Sequence, residues 1–425
     1  MPRKGLLASA DAHHMGQLAE LAEAQLAWAA RSRVGRGFGW LTENGTPDRG
    51  RPSELWITAR MVHVFALASA QGDDRWDKEL LHGVRALSTD FRDAEYGGWF
   101  TCLGRHQPHF PKRLYDHAFV VLAGSSLASA QVDRGFDILA EALAVVGTRF
   151  WEPLLSLGRE SFSADWASSE PYRGLNANMH LVEAYLAAGH TRGDNSLYLL
   201  ALEIARTAVD GWARSRGWRI PEHFGTDWTF TRDYNIDQPA DPFRPYGVTP
   251  GHGLEWARLL LQLGTVVDHA TEPWLLPAAT SLTRRALSEG WIEPGGLVYT
   301  TDFEGSPIVT ERFHWGACEA LATVASLYAV TGDSEWDDWY EQIWTFMVDH
   351  LVLPDGSLLH EVDSDLAPSR RTWSGRPDVY HAYQALLIPR GRPRASVMAL
   401  AQSLASSRGN GTERGRPGEE PTPRG

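Results

Sequence analysis

Apolar side chains recur at helical spacing in twelve separate segments of this chain, and nowhere does strand alternate with helix as a parallel sheet would require. The segments are 11–32, 53–71, 75–91, 112–131, 133–150, 175–190, 195–215, 250–266, 273–289, 311–331, 335–352 and 378–388, with Asp, Ser or Pro near several starts. No copied repeat is visible, but a polar residue falls near the start or middle of every second helix: Arg60, His117, His180, His252, His314 and His381. Their separations are 57, 63, 72, 62 and 67 residues, about the length of two helices of fifteen to twenty residues with their loops. Six helical hairpins, each carrying one such group, predict an all-α (α/α)6 barrel, a closed toroid. The second helix of each hairpin lines the centre and delivers its polar group to one mouth.

The Gly- and Trp-rich connections DAEYGGWF (93–100), HFGTDWTFTRDYN (223–235), EPGGLVYTTDFEG (293–305) and PDGSLLHEVD (354–363) read as short β-hairpins or structured loops at one end of the toroid. A last helix is expected over 393–406. Beyond it the chain is too rich in Gly, Pro and charge to bury much apolar area. The expected organisation is one catalytic domain, 1–406, and a disordered tail, 407–425.

With a net charge of −13 the chain has no basic face for nucleic acid, and no run of 18 apolar residues could span a bilayer. The start, MPRKGLLASADAHHMG, has too short an apolar stretch for a secretory leader, so export is not expected. Cys102 and Cys318 form no CxxC pair, which fits a cytoplasmic protein without a thiolate metal site. No strand-borne GxGxxG asks for a dinucleotide, and no cofactor is expected.

An isolated histidine on an amphipathic helix usually bonds a backbone carbonyl, and His13, His14, His63, His82 and His350 are read that way. Five in regular order within apolar sequence, as in LYDHAFVVLA and NANMHLVEAYLA, would cost desolvation each time if unused. In TPGHGLEWARLLL, His252 and Glu255 stand three apart on one helix face, with Gly251 and Gly253 around the imidazole. HxxE could bind a metal, but HExxH and CxxC are absent, so none is expected. Paired carboxylates such as Glu255 and Glu319 would suit a glycosidase, yet the regularly placed groups are imidazoles. Trp56, Trp256, Trp315 and Trp373 are packing residues or platforms for a sugar.

The segments NANMHLVEAYLA, YGVTPGHGLEWARLLL, FHWGACEALA and GRPDVYHAYQALLIP resemble motifs of the N-acylglucosamine 2-epimerase superfamily, most closely its aldose–ketose isomerase branch, over roughly 10–390. The resemblance implies an (α/α)6 barrel, no metal, and interconversion of free sugars at C1 and C2. It implies acid/base roles for His252 and His381 with His180 beside them, Glu255 as the acidic partner of His252, and Arg60 on substrate oxygens. Asn178, Trp56, Phe243 and Trp315 are implied as substrate-lining; His117 and His314, from their place in the spaced series, are expected as further pocket wall. Sulfonate-handling members carry a cation and a glutamine where this chain has Pro242 and Pro377, so a neutral hexose is the better substrate.

Imidazole suits the chemistry because its neutral form can take a proton beside a carbonyl and return it next door near pH 7. One base shared by C1 and C2 through a cis-enediol gives an isomerase, with D-mannose and D-fructose as the expected pair and D-lyxose and D-xylulose as a further one. Two bases on opposite faces of C2 give a 2-epimerase. The expected partner is a small sugar, and the expected assembly a monomer or homodimer.

Overall fold

The computed structural model describes residues 5–9, 11–104 and 110–413. Its main helices, in chain order, are α1 (Ala12–Ala30), α2 (Leu55–Ala70), α3 (Asp77–Arg85), α4 (Leu114–Ser129), α5 (Gly135–Val145), α6 (Leu175–Arg192) and α7 (Asn195–Ala205). They continue with α8 (Pro250–Leu263), α9 (Leu275–Gly290), α10 (His314–Thr331), α11 (Ser334–His350), α12 (Tyr380–Leu387) and α13 (Val397–Glu413). The twelve expected helices are all present. Wider π-type turns carry α3, α5 and α7 on to Asp90, Phe150 and Ala213, close to the ends expected from the sequence.

Two kinds of helix make two layers. The even-numbered helices from α2 to α12 are buried round nearly their whole circumference; α2 is buried without a break from Leu55 to Ala68. A helix apolar on every side must be covered on every side. The odd-numbered helices from α1 to α11 bury one stripe only, as α11 does with Trp336, Tyr340, Ile343, Trp344 and Met347. The inner helices pack in sequence from α2 to α12, and α12 returns to α2, closing the ring. Outside, α3, α5, α7, α9 and α11 each back the inner helix that precedes them, and α1 backs α12. α4 and α5 approach so closely that a Cβ on Gly124 would lie 2.8 Å from the Leu139 amide nitrogen.

Outer helices α1, α7 and α11 are capped locally: Asp11, Asp194 and Asp333 accept from the amides of His13, Ser196 and Glu335. Of the inner helices, α12 has such a side chain, Asp378 accepting from the Tyr380 amide (2.9 Å), and the other five have none. In four of these the first amide bonds instead to a carbonyl about fifty residues away: Leu55 to Thr101 (2.8 Å), Leu114 to Glu160 (2.9 Å), Leu175 to Glu222 (3.1 Å) and His314 to His360 (3.1 Å). Short antiparallel pairings accompany these bonds, Ser53–Glu54 with Cys102–Leu103, Lys112–Arg113 with Ser161–Phe162, Arg173–Gly174 with His223–Phe224, and Pro307–Phe313 with Glu361–Val362. Bridges Val248–Thr301 and Leu41–Arg376 complete the circuit, the last joining the two ends of the ring. Every inner helix is thereby held by its N-terminus at the same mouth.

α13 closes the opposite end, lying against α2, α6 and α12, with Gln402 bonded to the Ser129 carbonyl where α4 finishes. It runs to Glu413, past the end expected at 406, so the first residues of the expected tail are helical. The remainder of that tail, 414–425, lies outside the described residues. Among the described residues no helix is long and apolar enough to cross a membrane.

Candidate active site

Because the inner helices all begin at the mouth, position within the helix decides what each side chain faces. Second and sixth residues lie four apart, on one face, and that face is the axis. Second positions bring Trp56, Tyr115, Asn176, Trp315 and His381 to the cavity, and sixth positions bring Arg60, His180 and Glu255. Phe119 and Glu319, the sixth residues of α4 and α10, support the lining: Phe119 packs 4.6 Å from the His180 ring and Glu319 bonds His381. With Phe243, Tyr299, His314, His360, Trp373 and Asp378 they surround about 630 Å3 of empty space, solvent at the opening included.

Two imidazoles on this cavity are each tethered through Nδ1 to a carboxylate, His252 to Glu222 at 2.9 Å and His381 to Glu319 at 2.8 Å. A carboxylate can only accept, so Nδ1 carries the proton and Nε2 is the free base. The Trp315 ring lies between them, 5.5 Å from His252 and 5.8 Å from His381. It fits only because residue 251 is glycine; a Cβ there would meet the indole at 2.5 Å.

Beneath them the floor is charged and closed to water. Arg258, wholly buried, donates Nε to Glu319 at 2.7 Å and lies 3.5 Å from Glu255 and 3.7 Å from Glu183. His180 Nδ1 is 3.6 Å from Glu255 and 3.9 Å from Glu183. Arg60 donates to Asp378 (3.1 Å) and to the Tyr115 hydroxyl (2.8 Å).

Burial governs the titration of these groups. It holds His180 and His314 down to about 4. His381 is held well below its ordinary value by burial and then by the Arg60 charge, so it is neutral at pH 7. Burial and then repulsion from Glu319 push Glu255 well above the carboxylate range. Burial would raise Glu183 too, but His180 and Arg258 outweigh it and keep that carboxylate ionised. Arg60 stays cationic despite burial because Tyr115 and Asp378 face it. Two clusters have the donors for a metal ion, His180 with Glu183 and Glu255, and Glu255 with Glu319 and His381. In both, the guanidinium of Arg258 already supplies the cation among the carboxylates.

Of the residues singled out from the sequence, Arg60, His180, His252, Glu255, His314, His381, Trp56, Phe243 and Trp315 line the cavity, as do Pro242 and Pro377. Trp373 joins them, while Trp256 is buried in the core. Two expectations are corrected together. His117 and Asn178 are fourth residues of α4 and α6, about 200° round the helix from the second, and both face outward. His117 bonds the Arg113 carbonyl (2.8 Å) and receives the Trp99 amide (3.2 Å). Asn178 bonds the Gly174 carbonyl (2.9 Å) and both backbone groups of Gly158. Thr58, fourth in α2, likewise receives the Phe38 amide. This register clamps loops to helices, and Asn176 takes the cavity position expected of Asn178.

Glu255 is likewise corrected as the partner of His252. Sharing a helix face does not make the two meet, because His252, third in α8, turns to Glu222 beside the strand His223–Phe224. Glu222 and Arg258 carried no spacing signal, although the four-residue step from Trp56 to Arg60 could have pointed to Tyr115 and Asn176.

The chain matches the family model described as N-acylglucosamine 2-epimerase (GlcNAc 2-epimerase) over residues 37–385. It is 43% identical over 388 residues to the D-mannose isomerase of Thermobifida fusca, covering 89% of this chain and 93% of that protein. With the D-mannose isomerase of Pseudomonas cannabina pv. alisalensis identity is 40% over 402 residues, 93% of this chain and 95% of the relative. Among solved structures, a D-mannose isomerase crystal structure superposes with a TM-score of 0.81 at 26% identity, over 87% of this chain and 96% of the other.

Proposed function

The chain belongs to the N-acylglucosamine 2-epimerase family, and from that premise we propose that it is an aldose–ketose isomerase interconverting D-mannose and D-fructose. The observation that carries this reading is the pair of imidazoles, His252 and His381, each tethered by a carboxylate and each offering Nε2 to one cavity.

In the reading proposed, His252 moves a proton at the ring oxygen to open the pyranose. His381 then removes the C2 hydrogen from the open-chain aldose as a proton. The C2–H electrons form the C1=C2 bond, and O1 takes a proton to complete the cis-enediol. His381 returns its proton to C1 as O2 gives one up, and the carbonyl appears at C2. Arg60 donates toward O1 and O2 as charge grows there, worth about 3 kcal/mol for one well-placed donor, and neutral His180, its Nδ1 turned to Glu183, offers Nε2 to a sugar hydroxyl beside them. Glu255, whose proton affinity burial raises, faces the same pocket from the floor. Trp56, Phe243, Trp315 and Trp373 supply flat apolar faces for the sugar carbons, and with Pro242 and Pro377 in the wall a neutral hexose suits the site better than a sulfonated one.

The scheme needs no metal, because Arg258 and Arg60 supply the positive charge. All its groups come from one catalytic domain, taken as 1–406, so a monomer or a homodimer would serve. Cytoplasmic residence agrees with the two free, buried thiols, Cys102 and Cys318. The test is to incubate EDTA-treated protein with D-mannose in heavy water and follow products by NMR. Fructose with deuterium at C1 is expected. Glucose labelled only at C2 would make the protein a 2-epimerase, and no product from pH 6 to 9 would end the isomerase reading.

A further inference from the structure

We propose that Arg258 is the positioning residue of the base: by gripping Glu319 from below, it fixes the Nδ1 proton of His381 and so keeps Nε2 free to work. The inference rests on His381 being the base. Both Glu319 oxygens are held. Oε2 accepts Arg258 Nε at 2.7 Å, and Oε1, which accepts His381 Nδ1 at 2.8 Å, lies 3.4 Å from Arg258 Nη2. Arg258 touches no part of the cavity, yet the three carboxylates round it, Glu183, Glu255 and Glu319, are those that face His180 and His381.

A buried carboxylate without a counter-charge takes a proton. Glu319 would then become a donor, His381 would hold its proton on Nε2, and the base would be gone. Packing alone does not require this arrangement, because apolar side chains fill a buried site as well as an ion pair does. The arrangement therefore points to tautomer control.

The experiment compares the parent protein with Arg258→Gln and Arg258→Lys, measuring kcat and KM for D-mannose against pH and the His381 tautomer by 15N-imidazole NMR. His381 faces Glu319, Glu255, Arg60, Asp378, His180 and His314, and none of these changes in the variants. Arg258→Gln is expected to lower kcat about 100-fold with KM nearly unchanged. Losing a positive charge raises the proton affinity of the Glu319–His381 couple, so the acid limb of kcat/KM moves up by about one pH unit. The Nδ1–H signal gives way to Nε2–H. Arg258→Lys returns the charge without the fork, bringing the limb back and kcat part of the way. A folded Arg258→Gln protein with the parent's kcat, limb and tautomer overturns the proposal. If that variant does not fold, Arg258→Lys decides: a mixed tautomer with reduced kcat supports positioning, and parental values for both overturn it. A parent that makes no fructose refutes the isomerase reading, whereas the NMR comparison still decides whether Arg258 sets the tautomer.

Discussion

His381 with Glu319 and His252 with Glu222 are alike at the first contact and different at the second. Glu319 belongs to an inner helix and is gripped in turn by Arg258, so the couple is continuous with the ionic floor of the barrel. Glu222 sits in a connecting segment, and among the described residues its carboxylate is hydrogen-bonded to His252 alone. The first couple holds one tautomer at one place, which suits the removal of a proton from carbon proposed for His381. The second can turn slightly while keeping its bond, which suits the exchange among hydroxyl and ring oxygens proposed for His252. Rigidity here follows from the number of partners on the carboxylate and not from the histidine itself.

The contrast can be broken most severely at the bases. His381→Asn is expected to cut kcat by about 10⁴ with little change in KM, the upper range for a lost general base; a loss below about tenfold would place the base elsewhere. His252→Asn should cost about 100-fold and leave C2 solvent exchange measurable when an open-chain analogue bypasses ring opening. The carboxylates sharpen the comparison further. In Glu319→Gln the Arg258 Nε–H claims the carbonyl oxygen, which turns the amide N–H₂ toward His381 and forces the wrong tautomer. Glu222→Gln has no competing donor and can present its carbonyl to His252. The first should lose about 10³ in kcat and the second about tenfold; equal losses would erase the distinction drawn here.

The pH profile is a gentler probe. In the scheme proposed, His381 works as the neutral ring, and burial holds its value well below 6.5, so kcat/KM should be level at pH 7 and fall only as acidification protonates the ring. An acid limb at or above 6.5 would contradict the buried base. The smallest catalytic effect is expected from Asn178→Ala, which strips partners from both Gly158 backbone groups and should cost about 2 kcal/mol of stability. Turnover of the folded protein should stay within about twofold. A large loss of turnover at unchanged melting temperature would return Asn178 to the cavity.

Much of this was legible in one dimension. Whole-circumference apolarity in segments such as LWITARMVHVFALASA marks an inner helix, one-sided apolarity marks an outer one, and their alternation implies the ring. A polar group near each inner start was also visible, because desolvating it without use is costly. Neighbouring positions on one helix were harder: His117 and His180 look alike in sequence, yet one clamps a loop and the other lines the cavity.

The reason is angular. Each residue turns a helix by about 100°, so an inner helix beginning one residue earlier would present a different set of side chains to the axis. The chain by itself determined that there are two layers of helices and that imidazoles ride on the inner one. The starts of the inner helices from α2 to α10 are set by bonds to segments about fifty residues away, such as Leu55 to Thr101 and Leu175 to Glu222, and that of α12 by the bridge from Arg376 to Leu41 at the other end of the chain. Only the closed ring decided which imidazoles meet, which carboxylate each one holds, and that Arg258 lies beneath them, because those partners are brought together by the packing of distant helices and loops.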